Sequence, residues 1–472
     1  MSTLTCTAIS AVDEYHLGPT ACIAHPAVMA DIREQIVANQ ILSAADARLA
    51  QLSGMLSIAP SGQVGLNDGI IYPPDEPGGA AASVPAPPSR MFAMAPPVGP
   101  KTLNCLVLLV DFSDNRGAQA PGHYEKLLFD PANPGSMHSF YKELSYNNLN
   151  LTGVVTDWIR ASHPYSYYTD KQSGTGMSFP KNTPGLLQEI LQKHCATGGS
   201  LANFDQNGDG YVDGLFLVHA GVGAETDPNK QTRLAKIWSH KWTLPSTFSN
   251  NGVKAYAYFT APEDGLLGVF SHEFGHFLGL PDLYDTTYRS QGIGDWCLMA
   301  GGSWNGGGNT PARMSAWCLS TLGWISPRNI TGTTAVSLKS LETNKADCCR
   351  LWTGGAASKE YFLIENRQKA GRDAGLPGSG LAVWHIDDSQ SDNTNPLAYK
   401  VALVQADGRR DLEFARNQGD DADVFPGSAG VTSVTDLTAG DPHTRSNAGK
   451  PTNVEITGIS VAGGVVSAHL KV

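Results

Sequence analysis

The stretch HEFGHFLGLPDLYD, His272 to Asp285, sets two histidines at helical spacing with a glutamate between them. On a helix, positions i and i+4 share one face, so His272 and His276 can offer both imidazoles to a single ion. Glu273 points roughly 100° away around the helix, within reach of a water at that ion but not placed to ligate it. Two histidines holding zinc beside a glutamate that acts as general base is the chemistry this spacing serves. Gly279, three residues after His276, suits the sharp reversal that ends a helix. Asp282 follows three residues later, placed to swing a carboxylate under the ion as third ligand. The expectation is one catalytic zinc on His272, His276 and Asp282, served by Glu273. A merely polar helix face stopping at Pro281 explains neither the glycine nor the aspartate.

The run HExxHxxGxxD resembles the extended zinc motif of the metzincin proteases, with aspartate where the third ligand is usually histidine. Downstream, GDWCLMAGGSW offers Met299 for the methionine turn that such proteases place beneath the metal. With HSFYKELSYNNLNLTGVVTDW, DQNGDGYVDGLFLVHAGVGAE, KIWSHKW and EYFLIENRQKAGRDAGLPGSGLAVWHID, the sequence is similar to the M6 peptidases, the immune inhibitor A-like metalloproteases. The likeness spans about residues 100 to 470 and is strongest over the first half of that range. It implies a zinc endopeptidase secreted as a zymogen; protein or peptide substrates and a monomeric chain are expected. Residues 1 to about 97 then stand as a propeptide ending in a cleavable linker. In such clefts an edge strand pairs with the peptide backbone, which makes His240 in IWSHKW a cleft-lining candidate. Tyr284, just past the third ligand, is a candidate for stabilising the oxyanion.

FDQNGDGYVDG carries a second metal pattern. Asp205, Asn207, Asp209 and Asp213 fall at positions 1, 3, 5 and 9 of an EF-hand-like loop. Gly210 takes the sharp-turn position and Tyr211 offers its backbone carbonyl. The twelfth position is Phe216 rather than a bidentate glutamate, so the expected structural calcium sits in a truncated loop. The competing reading is a solvated turn, since Asp, Asn and Gly favour turns in any case. A second acidic run, NQGDDADVFPG with Asp420, Asp421 and Asp423, lacks ligand periodicity and reads as a solvated loop. His219 and Glu225 read as ordinary polarity at a strand end. Cys6 and Cys22 read as buried or disulfide-bonded cysteines in preference to zinc-capping thiolates.

The elements that must position these residues can be traced along the chain. At 472 residues with 41% hydrophobic content, the sequence supports two or three compact domains. From Lys101 a continuous apolar run, NCLVLLVDF, reads as a strand buried on both faces. HSFYKELSY, TPGLLQEILQKHCA and GLLGVFSHEFGHFLGL read as helices, with strands at NLNLTGVVTDWI, DGLFLVHAG and KAYAYFTAP between them. A helix is expected from Ala312 to Trp324. Beyond about Pro327 the segments TAVSLKSL, EYFLIENR, GLAVWHID, YKVALVQAD, NVEITGISV and GVVSAHLKV alternate like strands. The fold class is therefore α+β: a metzincin-like catalytic domain over 98–327, then an all-β, sandwich-like domain over 328–472. Ahead of them, 1–97 is a partly helical, propeptide-like appendage, with helix expected over 26–55 and a Pro, Gly, Ala and Ser-rich linker over 58–100.

Composition excludes some functions. With 44 acidic against 33 basic residues the net charge is -11, which leaves no basic surface for nucleic acid or anionic membrane and suits a calcium-binding protein. No apolar run approaches the roughly 20 residues of a membrane span. MSTLTCTAISAVDEYH lacks the basic start of a secretory signal, so the expected extracellular location has no recognisable signal peptide behind it. The eight cysteines include no CxxC pair, which argues against a thiolate zinc site. The rival reading is a catalytically idle, calcium-stabilised adhesin or surface-binding protein, and the intact Glu273 argues against it.

Overall fold

The computed structural model describes residues 20–37, 101–206, 208–227 and 229–472. Its fold is mixed α/β, with three sheets and few helices among those residues.

Strand β2 (Lys101–Asp111) is the axis of the larger half, and its pleat divides the core. Leu106, Leu108 and Val110 point to one face, where they meet Leu186, Leu187, Ile190 and Leu191 of the helix Thr183–Ala196. Cys105, Val107 and Leu109 point to the other, toward the helices Met137–Leu144 and Leu267–Phe277. That period of two is what a strand covered on both faces requires. Strands β3 (Leu149–Val155), β4 (Ile159–Arg160) and β5 (Leu215–His219) pair with β2 in parallel. Strand β7 (Val253–Pro262) continues parallel to β5, and β6 (His240–Asn250) folds back antiparallel on β7. The outermost strand on that side is β1 (Thr20–Ala21), antiparallel to β6, which makes seven strands in all.

Two further sheets follow. Strands β8 (Arg328–Asn329), β10 (Cys348–Trp352), β11 (Glu360–Arg367), β12 (Gly380–Asp387) and β13 (Val401–Leu403) form one, in the order β13-β12-β11-β10-β8. Strands β9 (Thr334–Leu338), β14 (Val434–Thr435), β15 (Glu455–Ala462) and β16 (Val465–Lys471) form the other. Phe362, Ile364, Leu381 and Val383 share a core with the four-stranded sheet. Their neighbours Leu363, Ala382, Trp384 and Ile386 face the other way, into the core that surrounds the helix Leu267–Phe277. Packing is thus continuous across residue 328.

Several expectations need correction. The helix expected over 312–324 runs only from Ala316 to Thr321, because the Ser315 side chain accepts the Cys318 N–H and caps it there. In YKVALVQAD only Val401–Leu403 pairs. Strands β6 and β10 were not anticipated. Residues 20–37 are no appendage: Cys22, Ile23, Ala24, Val28, Met29 and Ile32 are buried in the same core as the helix Leu267–Phe277. Helix is present over Pro26–Val37, whereas 38–55 and the linker lie outside the described residues, as does Cys6. Among the described residues all seven cysteines are free thiols, Cys22 included, so no disulfide forms there. None of the described helices is long and apolar enough to cross a membrane.

Candidate metal centre

The helix Leu267–Phe277 is buried along its whole length, so its polar residues must find partners inside the protein. It ends in a Schellman turn. Gly279, at φ +94°, donates its N–H to the His276 carbonyl at 2.9 Å, and the Leu280 N–H reaches the Gly275 carbonyl at 3.1 Å. A side chain at that φ would be strained, which is why glycine stands there.

The reversal brings Asp282 back under the helix. Its Oδ1 lies 3.1 Å from His272 Nε2 and 3.3 Å from His276 Nε2, and the two Nε2 atoms are 3.2 Å apart. Each ring is fixed from behind: His272 Nδ1 meets the Leu298 carbonyl at 2.9 Å and His276 Nδ1 the Leu280 carbonyl at 2.8 Å. A carbonyl only accepts, so each Nδ1 carries the hydrogen and each neutral ring turns a lone pair inward. Two lone pairs and a carboxylate then converge with no donor among them. Ligands bound tetrahedrally at zinc distances of about 2.0–2.1 Å stand about 3.3 Å apart, which is the spacing found here. No other group of three or more His, Cys, Asp or Glu side chains among the described residues comes together in this way.

His272, Glu273 and His276 are 0% exposed and Asp282 is 2% exposed. Burial raises the Asp282 carboxyl, while positive charge at His276 and bonds from protonated histidines would pull it down; with both rings neutral, that stabilising charge has to come from an ion. For Glu273 burial wins. It is pushed up to about 8, His276 opposing while Asp282 and Glu225 add to the rise. Neither Glu273 oxygen has a hydrogen-bond partner. The Cys22 thiol, itself fully buried, is close enough to feel the Glu273, Glu225 and Asp282 carboxylates without completing a bond of good geometry to Glu273.

Met299 packs directly beneath the helix, where a Cβ on Gly275 would lie 2.4 Å from its Sδ. The Met299 carbonyl also accepts the Leu283 N–H at 2.7 Å, tying down the residue beside Asp282. Support arrives from further along the chain. Asn393 donates to the Leu283 carbonyl at 2.8 Å, and Arg367 donates to the Trp296 carbonyl at 2.8 Å. Trp296 Nε1 donates to Asp423 at 3.0 Å, which makes one carboxylate of the second acidic run a structural acceptor.

The remaining candidates divide. Tyr284 is beside the centre, its ring 6.3 Å from His272, with its hydroxyl donating to the Ala21 carbonyl at 2.9 Å. His240 is not in the cleft: its side chain meets Thr183 Oγ1 at 2.9 Å and Tyr258 OH at 3.2 Å, on the opposite face of the sheet. Glu225 accepts from Ser239 Oγ at 2.5 Å and its backbone carbonyl accepts the His25 N–H, so it anchors the start of β6 and the N-terminal segment. In the acidic loop the carboxylates are occupied by backbone. Asp205 accepts N–H groups from Gly208, Asp209 and Gly210, Asp209 accepts from Tyr211, and Asp213 Oδ2 accepts from Gln206. Asp213 Oδ1 is buried without a partner, and burial raises that carboxyl to about 7. Asn207 lies outside the described residues. Tyr288, Trp304 and Asn393 were missed at the sequence level, because nothing local marks them.

The family model for the immune inhibitor A peptidase M6 catalytic domain matches residues 99–324, a span that contains the whole His272–Asp282 constellation. Over those residues the chain is similar to the M6 peptidases. The chain is 34% identical over 287 residues to "Immune inhibitor A" from Bacillus thuringiensis subsp. alesti, covering 50% of this chain and 42% of that relative. It is also 34% identical over 284 residues to "Pre-pro-metalloprotease PrtV" of Vibrio cholerae serotype O1, covering 48% of this chain and 30% of the relative. The chain thus spans less than half the length of these M6 relatives.

Proposed function

We propose that the chain is a zinc metalloendopeptidase that hydrolyses peptide bonds in proteins. The observation that carries this reading is the convergence of His272, His276 and Asp282, acceptors only, beside an unpartnered, buried Glu273. Zinc bound by those three residues would keep a fourth position open, acidifying a water and polarising the scissile carbonyl. Glu273 receives the proton of that water as it attacks and returns it to the leaving amine. A carboxyl whose surroundings raise its proton affinity suits a group that must both take and give a proton near neutrality. Met299 underlies the centre as the methionine turn, and Tyr284 is the candidate for stabilising the oxyanion once its hydroxyl is free.

The same reading takes the larger half as metzincin-like and the two C-terminal sheets as a sandwich. It places the enzyme outside the cell, acting as a monomer on protein or peptide chains. Calcium in the 205–213 loop is proposed as structural, with Asp213 Oδ1 as the group left for it. Metal analysis tests the core of this proposal. Zinc at about one per chain, with casein cleavage that a chelator abolishes, is expected. Zinc-loaded protein that leaves casein intact after removal of the N-terminal segment would sink it.

A further inference from the structure

Two cysteines meet beneath the metal loop. Cys297 and Cys318 are each 0% exposed, and their Sγ atoms stand 3.9 Å apart. One residue fixes both: the Ser315 N–H donates to the Cys297 sulfur at 3.3 Å, and the Ser315 hydroxyl to the Cys318 sulfur at 3.4 Å. The structure holds the pair as thiols. A disulfide sets its sulfurs about 2.05 Å apart, so closure asks for an approach of about 1.9 Å. That is the scale of a side-chain rotation.

Each cysteine belongs to an element on which the centre depends. Cys297 precedes Leu298, whose carbonyl holds His272 Nδ1 at 2.9 Å, and its own carbonyl accepts the Ala300 N–H at 3.0 Å. Cys318 sits in the helix Ala316–Thr321, whose first N–H donates to Glu365 Oε1 on β11 at 2.9 Å. Glu365 in turn accepts the indole N–H of Trp384 on β12 at 2.8 Å. The two sulfurs therefore meet where the loop that orients a metal ligand reaches an element anchored in the five-stranded sheet. As thiols they offer that junction only a weak hydrogen bond.

We propose that Cys297 and Cys318 are a site of covalent modification: oxidation joins them in a disulfide that braces the loop carrying Leu298 against the helix Ala316–Thr321. The oxidant is itself a disulfide, of the glutathione or thiol-oxidoreductase class. One cysteine, as thiolate, attacks it, forming a mixed disulfide and expelling one thiolate. The other cysteine then attacks the first, the Cys297–Cys318 bond forms, and the second thiolate leaves. Two electrons have passed to the oxidant's S–S bond, and the two protons end on its sulfurs. Both cysteines are sealed in the folded chain, so the exchange belongs to folding, before the core closes. An oxidising compartment outside the cell is where such a bond persists. The bond does not depend on the zinc peptidase reading, whereas its service to a metal ligand rests on it.

The test refolds the full chain with oxidised and reduced glutathione, unfolds it with an alkylating agent present, and digests it with trypsin without reduction. Cleavage after Arg289, Arg313 and Arg328 puts the two cysteines on separate peptides, 290–313 and 314–328. Those peptides are expected joined, and a reductant should part them. Amide hydrogen exchange over 297–300 should be roughly tenfold slower than in a chain refolded under reductant. In Cys318→Ala the two refolding conditions should give the same exchange. If that variant does not fold, the joined peptides of the unaltered chain still decide. Cys297 and Cys318 both recovered alkylated, or either joined to another cysteine, overturns the proposal. Joined peptides with equal exchange overturn the brace. Neither measurement uses a metal, so a chain that binds no zinc overturns the peptidase reading and leaves this one to its own peptides.

Discussion

Two short stretches of this chain, His272–Asp282 and Asp205–Asp213, look alike as text: ligand-type residues at regular spacing with a glycine at the bend. In three dimensions they diverge. In the first, a rigid helix and a Schellman turn aim three acceptors at one another, 3.1–3.3 Å apart, with their backbone neighbours already bonded elsewhere. In the second, the carboxylates fold back on the loop's own N–H groups, three of them on Asp205 alone. Ligand spacing becomes a binding site when the local backbone leaves the ligand atoms without donors of its own. A helix does that, because its N–H groups are spent internally. A loop rich in Asp and Asn leaves fewer oxygens without such donors, because its side chains bond their own backbone; Asp213 Oδ1 is one that is left.

The contrast can be broken by substitution. Glu273→Gln should lower proteolysis about 10³-fold while zinc content stays unchanged, since the glutamate serves the water and not the ion. Full activity in that variant would remove the mechanism. Asp282→Ala should weaken zinc binding beyond about 100-fold, more than loss of a supporting residue would, as competition with a chelator would show. Asp205→Ala should leave zinc untouched and destabilise the metal-free protein by about 1–3 kcal/mol in denaturant titration, because three N–H groups lose their acceptor. If it also lowered zinc content, the two stretches would be coupled and the distinction drawn above would fail. Gly279→Ala should cost about 1–2 kcal/mol and loosen zinc modestly, through the left-handed turn that delivers Asp282.

A pH experiment tests burial away from both stretches. Burial raises Asp295 to about 7, so the folded chain holds that proton more tightly than the unfolded chain does. Its contribution to stability is complete below about pH 4 and is lost as the pH climbs toward about 7. Melting temperature should therefore fall over that window, and Asp295→Asn should flatten the decline. An unchanged profile in the variant would mean that Asp295 is solvated in the folded state.

Much of the centre was legible because its geometry is local. His272, Glu273, His276, Gly279 and Asp282 lie within one helix and its turn, where spacing fixes direction. The helix Thr183–Ala196 and strands β11 and β12 were legible for the same reason, their apolar period being unbroken. Strand β6 was not, since Pro245 and a register shift between Thr243 and Phe248 interrupt its alternation. His240 shows a second limit: without the strand, the face its side chain takes is unreadable, because a one-residue offset reverses every side chain. Trp304 and Asn393 show a third. Each acts more than 100 positions away in sequence, through contacts that only the folded chain creates.

Asn393, Arg367 and Asp423 each reach back to hold a backbone or ring group of the segment 283–296, and all three lie beyond the span matched by the family model. The stretch of inheritance that is easiest to recognise stops at residue 324, while the scaffold that keeps its metal loop in register runs on for about another hundred residues. A fragment trimmed to the recognisable boundary would keep His272, His276 and Asp282 and lose the carpentry around them.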